Sequence, residues 1–371
     1  KFNLCFILYI PMKINLSSIK IKTNIKAKKT FYTGKTGSEC AAKPFRFLCL
    51  IFLIFSMCAC TKARPQPGTQ PEQDSERKII VGFSQIGAES AWRGYNTKSM
   101  QSAAQNAGIQ LVYANAEQKQ ENQIKALRSF IAYQVDAIVF VPIVQNGWDN
   151  VLKEAKDANI PVLVIDRKLS CSDSSLFAGF VGTDSYAEGR KAANFLVEKF
   201  GTEKTVNIAE MRGTDGSSVS EGRYAGFREI IDQYPNFKIV ASENGEFLIS
   251  RGREVMNQFL DESISKGYKI DAIFSHNDSM TLGALEILEK RGIKPGKDVV
   301  IVSIDAEQAA IDALKSGKIN CDVECNPDFG EEVIRLVKEV LQGNEIPKFT
   351  HVNETFFTEN DDFDSIKPRG Y

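Results

Sequence analysis

The chain has 371 residues, of which 43% are hydrophobic and 25% charged, a composition typical of a globular protein of two or three domains. The formal net charge is −1, but ten of the 46 basic residues lie within residues 1–60, beside a single acidic residue, Glu39. The rest of the chain is therefore strongly acidic. An acidic surface repels polyanions, so we expect no nucleic-acid partner.

Residues 1–60 have the composition of a leader. The uncharged run FLCLIFLIFSMCAC (47–60) follows two basic residues and is shorter than a membrane span, which needs about 20 apolar residues. These are features of a signal peptide. The run ends with a small residue directly before Cys60, as in the lipobox of bacterial lipoproteins, so Cys60 is the candidate lipidation site. An ordinary cleaved signal or an uncleaved anchor is the alternative.

The leader predicts a protein of the periplasm or the extracytoplasmic membrane face, held there by a lipid anchor. Residues 1–42 are interpreted as sequence upstream of the native start and are left out of the predicted fold. Residues 61–77 contain three prolines and no apolar periodicity, which predicts a tether. Beyond the leader, the remaining cysteines are Cys171, Cys321 and Cys325. Cys321 and Cys325 stand four apart in a predicted strand, about 13 Å between Cα atoms, too far for a disulfide.

After the tether, short apolar runs alternate with segments of helical periodicity. The first elements, in order, are a strand at 78–83, a helix at 90–107, a strand at 110–114, a helix at 120–133, a strand at 136–141, a helix at 148–158 and a strand at 162–165. The strands are continuously apolar, which is typical of strands buried on both faces. This order predicts a parallel doubly wound sheet with helices on both sides.

The same alternation of strands and helices then repeats. Strands are predicted at 177–181, 205–210, 238–241, 271–275, 299–303 and 320–323, and helices at 186–199, 220–232, 250–265, 280–291 and 329–341. One sheet of ten parallel strands would be unusual, so we predict two α/β lobes with a break near Gly182 and Thr183. The last helix is expected to cross back to the first lobe.

Polar and aromatic side chains accumulate where the predicted strands end, which is where open α/β sheets bind ligands. The candidate binding residues from this pattern are Gln85, Glu89, Trp92, Arg93, Asp166, Arg167, Arg223, Asn277 and Asp305. Carboxylate and guanidinium groups bind adjacent hydroxyls in pairs, and an aromatic face packs on the C–H face of a sugar. The set therefore suits a neutral polyol.

Several of these residues also suit a structural role instead of ligand binding. Trp92 also suits a packing position in the core, and Asp166 with Arg167 also suits an exposed ion pair worth less than about 1 kcal/mol. Asp278 is expected to cap the helix that it precedes. His276 is expected to be structural, since His351 is the one other histidine of the chain.

Motifs for catalysis and cofactor binding are absent from the sequence. It contains no G-x-G-x-x-G after a strand, no G-x-S-x-G elbow and no G-x-x-x-x-G-K-[ST] loop. We therefore predict no catalytic residue, no cofactor, no metal site and no enzymatic activity.

Residues 78–358 resemble the periplasmic sugar-binding proteins of ABC importers, of the ribose-binding and LacI-like type. The resemblance rests on VGFSQ (81–85), VIDRK (164–168), RYAGF (223–227), HNDSM (276–280) and VSID (302–305). Within that family, the stretches 82–93, 118–138 and 151–167 are most similar to the galactofuranose-binding type of enteric bacteria.

The resemblance implies a type I clamp whose lobes comprise 78–182 plus 326–350 and 183–325 plus 351–371, joined by a three-segment hinge near 182–183, 325–326 and 351–353. It implies a monosaccharide held by the candidate residues, with Phe247 packing on it, and delivery to an inner-membrane ABC permease by a monomer. Ribose binders have Gln where this chain has Cys325, so one hydroxyl contact is missing or is made by Glu324 or water.

Other classes of protein share part of this pattern. A LacI-type repressor would carry a helix-turn-helix segment where this chain has an apolar run and a tether. A sugar sensor that signals to a chemoreceptor or membrane kinase would have the same features as an importer component, and it stays open as the alternative. An enzyme is the least supported class.

Overall fold

The computed structural model describes residues 77–371, so the leader, Cys60 and nearly all of the predicted tether lie outside the described residues. The strands are β1 (Ile80–Gln85), β2 (Gln110–Asn115), β3 (Ala137–Phe140), β4 (Val162–Ile165), β5 (Gly179–Gly182), β6 (Val206–Arg212), β7 (Phe237–Asn244), β8 (Ala272–Ser275), β9 (Val300–Asp305), β10 (Cys321–Glu324), β11 (Phe349–His351) and β12 (Phe356–Thr358). The α-helices are α1 (Ala91–Asn106), α2 (Gln120–Tyr133), α3 (Asp149–Asp157), α4 (Ser185–Phe200), α5 (Ser218–Ile231), α6 (Ile249–Lys266), α7 (Asp278–Lys290), α8 (Gln308–Lys315) and α9 (Gly330–Leu341). None of the helices within 77–371 is long and apolar enough to cross a membrane.

The strands form two six-stranded sheets that share one topology. The first sheet has the order β2-β1-β3-β4-β5-β11, and the second has the order β7-β6-β8-β9-β10-β12. Every neighbouring pair is parallel except β10 with β12, which is antiparallel at the edge of the second sheet. The predicted class, two doubly wound α/β lobes, is confirmed.

Strand sequence explains this architecture. All residues of β3, β4 and β8 are buried, and they read AIVF, VLVI and AIFS. Such runs have no polar face to expose, so helices must cover both sides of the sheet. The parallel arrangement then brings the carboxyl ends of the strands to one edge of each sheet.

Three segments pass between the lobes, between β5 and α4, between β10 and α9, and between β11 and β12. Helix α9 packs against α1, so the expected return of the last helix to the first lobe is confirmed. The third crossing begins after His351, because this residue still pairs with Gly182 in the first sheet.

Candidate functional site

A small cavity lies where the carboxyl ends of the two sheets face each other. Its lining includes nine of the ten predicted binding residues, namely Glu89, Trp92, Arg93, Asp166, Arg167, Arg223, Phe247, Asn277 and Asp305. Ser90, Val219 and Cys325 complete it.

Gln85 is the predicted binding residue that does not line the cavity. Strand β1 continues through this residue, and its side chain is used within the first lobe. Its Nε2 donates to Asn96 Oδ1 at 3.1 Å and to Thr97 Oγ1 at 3.2 Å, while its Oε1 accepts from Ile86 N. The amide therefore ties β1 to α1 and supports the loop between them.

The first lobe contributes two carboxylates and two guanidinium groups in contact. Arg93 Nε donates to Glu89 Oε1 at 3.0 Å, and Arg93 Nη1 lies 2.6 Å from Asp166 Oδ2. Arg167 Nη2 lies 3.8 Å from Glu89 Oε1, and Arg167 Nη1 donates to the carbonyl of Ile143. Asp166 and Arg167 are 5% and 3% exposed, so an exposed ion pair is the wrong interpretation.

Four polar atoms of this group are buried without a hydrogen-bond partner. They are Glu89 Oε2, Arg93 Nη1, Asp166 Oδ2 and Arg167 Nε. Arg93 Nη1 and Asp166 Oδ2 attract each other as charges, but they are not oriented as a hydrogen bond. A buried polar atom left unpaired costs about 1–3 kcal/mol. A bound group that both donates and accepts would satisfy these atoms.

The oppositely charged side chains of this group favour one another's ionised forms. Burial works against ionisation of Glu89, but Arg93 and Arg167 outweigh it, and the pKa of Glu89 lies below its usual value. Burial likewise works against the charge on Arg93, but Asp166 and Glu89 raise its pKa. Burial, together with the neighbouring Arg93, lowers the pKa of Arg167 to about 10. Both guanidinium groups therefore stay charged at neutral pH.

Arg223 on α5 organises the second-lobe side of the cavity. Its Nε donates to Glu188 Oε2 at 2.6 Å, its Nη2 to Asp305 Oδ1 at 3.4 Å, and its Nη1 to the carbonyl of His276. Burial disfavours the charge, but Glu188 and Asp305 raise the pKa of Arg223. Burial raises the pKa of Asp305 well above its usual value, and the guanidinium of Arg223 opposes this shift.

The segment between β8 and α7 presents Asn277 to the cavity. Asn277 Oδ1 accepts from Met280 N at 3.0 Å and caps α7, while its Nδ2 donates to the carbonyl of Phe247. The expectation that Asp278 is the cap is therefore wrong. Asp278 is fully buried and accepts from Glu307 N and Ser303 Oγ instead.

His276 is structural, as expected. It is fully buried, its Nε2 lies 3.2 Å from Glu210 Oε1, and its Nδ1 accepts from Gly213 N. Burial lowers its pKa, so the ring is neutral at neutral pH.

Two aromatic rings border the cavity. Trp92 is 3% exposed, packs near Phe329 and donates its indole N–H to the carbonyl of Cys325, so it serves both packing and the cavity wall. The Phe247 ring lies 5.2 Å from the guanidinium of Arg167 and 5.9 Å from that of Arg223. Cationic groups over an aromatic face are held in orientation by the ring quadrupole.

Unusual backbone conformations accumulate at the cavity. The φ angles are 61° at Asp166, 61° at Phe247 and 132° at Asp305, values that residues other than glycine rarely adopt. Such conformations cost on the order of 1–3 kcal/mol each and cluster at functional sites. They indicate that the backbone is held in strained conformations here, which place these side chains at the cavity.

The lobes touch around the cavity. Trp92 N donates to Glu307 Oε1 at 3.0 Å, and Lys168 N donates to Ser218 Oγ at 2.7 Å. Gln145 N also donates to the carbonyl of Gly216. Each bond joins the first lobe to the second. The clamp is therefore in a closed conformation.

The described cysteines are all free, and Cys325 lies in the cavity wall. Glu324 does not replace the contact that Cys325 lacks, because its carboxylate accepts from Thr355 N at 2.9 Å and pairs with Arg369. Glu324 belongs to the contact between β10 and the C-terminal segment, and that part of the expectation is wrong.

Comparison with known proteins gives consistent results. A family model described as a periplasmic binding protein domain matches residues 81–345. The galactofuranose-binding protein YtfQ of Escherichia coli (strain K12) is 39% identical over 297 residues, which cover 79% of this chain and 93% of that protein. The periplasmic binding protein component of the arabinose ABC transporter from Shewanella sp. ANA-3, bound to α- and β-L-arabinofuranose, is 43% identical with a TM-score of 0.73, covering 76% of this chain and 92% of that one. A Mycobacterium smegmatis protein in complex with β-D-fucofuranose is 42% identical with a TM-score of 0.74, covering 76% and 91%.

The fold and the cavity define a two-lobe clamp for a small polar ligand. The chain belongs to the periplasmic binding protein family. Its homologues are sugar-binding extracytoplasmic components of ABC transporters, and the family consists of substrate-binding proteins rather than enzymes. The resemblance seen in the sequence is confirmed.

Proposed function

We propose that this protein binds a monosaccharide in its furanose form, of the galactofuranose type, and delivers it to the permease of an ABC importer. The observation that carries the proposal is the buried cluster of Glu89, Arg93, Asp166 and Arg167, in which Glu89 Oε2 and Arg167 Nε have no hydrogen-bond partner. Adjacent sugar hydroxyls donate to carboxylates and accept from guanidinium groups, which matches this group. The relatives with furanose ligands support the ring form.

The charge balance of the cavity favours a neutral ligand. In the first lobe, two carboxylates face two guanidinium groups. In the second, Arg223 pairs with Glu188 and lies 3.4 Å from Asp305, a carboxyl group whose pKa burial raises. An ionic ligand would therefore add an uncompensated buried charge, which is costly. A neutral sugar adds none.

Each lining residue has a proposed role. Glu89, Arg93, Asp166 and Arg167 bind hydroxyls from the first lobe, and Arg223, Asn277 and Asp305 bind them from the second. Trp92 and Phe247 cover the apolar face of the ring, as aromatic side chains do in sugar sites. No catalytic step is assigned to any of them.

Binding is coupled to closure of the clamp. A sugar reaches both sets of residues only when the lobes are closed, so it shifts the population toward that state by its differential affinity. The closed protein is then the form that the permease receives. The relatives favour import over signalling.

The proposed location is the extracytoplasmic face of the membrane. We propose that the protein acts there as a monomer and is anchored by a lipid on Cys60, which the run FLCLIFLIFSMCAC supports.

The test is calorimetry of the purified protein with galactose, arabinose and fucose, whose ring forms interconvert in water, and with their methyl furanosides and methyl pyranosides, whose ring forms are fixed. We expect micromolar or tighter binding of a furanose, about −8 kcal/mol. The variant Asp166→Asn should weaken it at least tenfold, since hydrogen bonds to charged groups contribute about 1.5–3 kcal/mol.

The matched control is Asp157→Asn, an exposed aspartate on α3 that should bind like the parent. Equal affinity of parent and Asp166→Asn would refute the site, and no binding of any furanose would refute the ligand class.

A further inference from the structure

Three potential metal ligands meet where the crossing segments pass between the lobes. Glu188 lies on α4 just after the first crossing, Cys325 follows β10 at the second, and Glu354 lies in the third between β11 and β12. One ligand atom of each residue lies within 4.8 Å of the other two. We propose that these residues form a binding site for a thiophilic divalent cation such as Zn²⁺.

One oxygen atom of each carboxylate in this hinge cluster (Glu188, Cys325 and Glu354) has no hydrogen-bond donor. Glu188 is fully buried and uses Oε2 to accept from Arg223 Nε at 2.6 Å, but its Oε1 makes no hydrogen bond. Glu354 Oε1 makes none either. Ionised carboxylates only accept, so two of them side by side cannot satisfy each other. A positively charged species between them would satisfy both, and either a proton or a metal ion has the required charge.

The thiol of Cys325 decides which kind of metal ion suits the cluster. A sulfur ligand beside two carboxylates is unsuited to Mg²⁺ or Ca²⁺, which take oxygen ligands. Zn²⁺ accepts both Cys sulfur and Glu oxygen, and sites with three protein ligands keep a fourth position for water. Cys325 is 2% exposed, so a bound ion would be shielded from bulk water.

The local charges also balance for a divalent ion. A thiolate and two carboxylates carry three negative charges. A divalent ion supplies two positive charges, and the guanidinium of Arg223, in contact with Glu188, supplies the third. A buried cluster without net charge avoids the penalty of an unpaired ion.

The position of the cluster gives the ion a path from solvent and a way to affect sugar binding. Glu354 is half-buried, which leaves an approach from solvent, while Cys325 reaches the wall of the sugar cavity. An ion bound to all three crossing segments would hold them together and resist opening of the clamp. Coupling between the ion and the sugar is then reciprocal, each changing the affinity for the other by the same factor.

The first test is a Zn²⁺ titration of the purified protein in competition with a chromophoric chelator. The variant Glu354→Gln replaces a ligand by a neutral group of similar size, and we expect its affinity for Zn²⁺ to fall at least tenfold. The matched control is Glu345→Gln, an exposed glutamate after α9, which should bind like the parent. Because residues 1–60 contain further cysteines, the result is the difference between the variant and the parent.

The second test uses Co²⁺ in place of Zn²⁺, since a thiolate ligand gives Co²⁺ a charge-transfer band in the near ultraviolet. We expect the variant Cys325→Ala to lose part of this band. The control is Cys171→Ala, whose cysteine lies outside the cluster and which should keep that part of the band. Equal Zn²⁺ affinity of Glu354→Gln and the parent would overturn the proposal and leave a shared proton as the cation. Circular dichroism identifies a variant that fails to fold. If Cys325→Ala does not fold, the Zn²⁺ affinity of Glu354→Gln decides whether the cluster binds the metal ion.

Discussion

The ring of Phe247 occupies its place over the cavity because Gly213 has no side chain. A Cβ at Gly213 would lie 1.9 Å from Phe247 Cζ, far inside van der Waals contact. The ring in turn lies beside the guanidinium groups of Arg167 and Arg223. A change at Gly213 therefore reaches the cavity through Phe247, although Gly213 does not line it.

We expect Gly213→Ala to lower sugar affinity about tenfold, because the methyl group must displace the Phe247 ring and the arginines it orients. Calorimetry measures the affinity, and thermal unfolding checks that the fold persists. The control is Gly94→Ala, an exposed helical position with nothing within 4 Å of a Cβ, where alanine should leave affinity unchanged. A variant that binds as tightly as the parent would show that Phe247 does not contribute.

At the scale of the residue, most of the side chains that line the cavity could be predicted from the sequence, because the ends of parallel strands converge at one edge of a sheet. Gln85 lies outside the cavity lining because β1 ends two residues later than its apolar run suggested, and the amide serves the first lobe. Phe247 follows β7 in a left-handed conformation that no periodicity marks, and the family resemblance alone pointed to it. The burial of Asp166 depends on contacts with Arg93, which a single sequence does not encode locally.

At the scale of the element, the long helices and buried strands were predicted and the short elements were not. Helix α8 has eight residues, and β11 and β12 have three each. Two turns of helix or three residues of strand carry too few apolar positions to show a period. Strands β11 and β12 exist because a neighbouring sheet edge pairs with them.

Buried carboxyl groups connect α7 and β10 in the second lobe. Burial raises the pKa of Asp278 and Asp322 well above the usual value, and nearby carboxyl groups raise both further. Asp322 Oδ1 accepts from Ala306 N at 3.2 Å, while its Oδ2 makes no hydrogen bond. These groups hold protons in the folded state that the unfolded chain has lost at the same pH.

This proton retention predicts that stability falls as pH rises above the ordinary aspartate range. Between the unfolded and the folded pKa, the folded state binds more protons, so the free energy of unfolding decreases with pH by about 1.4 kcal/mol per unit for each extra proton. The variant Asp322→Asn should flatten this slope and should gain stability over the parent at the alkaline end. Urea unfolding at several pH values measures both. A parent whose stability rises through this range would contradict the prediction.

At the scale of the whole molecule, one contact joins the lobes at a helix end. Glu307 of the second lobe accepts from the backbone N–H of Trp92 in the first turn of α1. A carboxylate at this position also meets the positive end of the helix dipole. Since Glu307 does not line the cavity, its contribution to binding acts through closure alone.

We expect Glu307→Ala to weaken sugar binding about tenfold by destabilising the closed state, without loss of any contact to the sugar. Calorimetry gives the affinity, and small-angle scattering of the sugar-free protein should show a larger radius of gyration. Glu331→Ala, an exposed glutamate in the first turn of α9, is the control. Unchanged affinity together with unchanged scattering would rule out Glu307 as a closing contact.

The position of Trp92 in the wall of the cavity also makes the clamp its own optical reporter. The chain has two tryptophans, and Trp148 is fully buried beside Phe140 in the first lobe, away from the cavity wall. Opening would separate Trp92 from Glu307 of the second lobe and admit water to the cavity side of its ring, while Trp148 would keep its surroundings. Fluorescence emission of the unlabelled protein should therefore move to longer wavelengths when the sugar leaves, and the speed of loading becomes measurable by stopped flow.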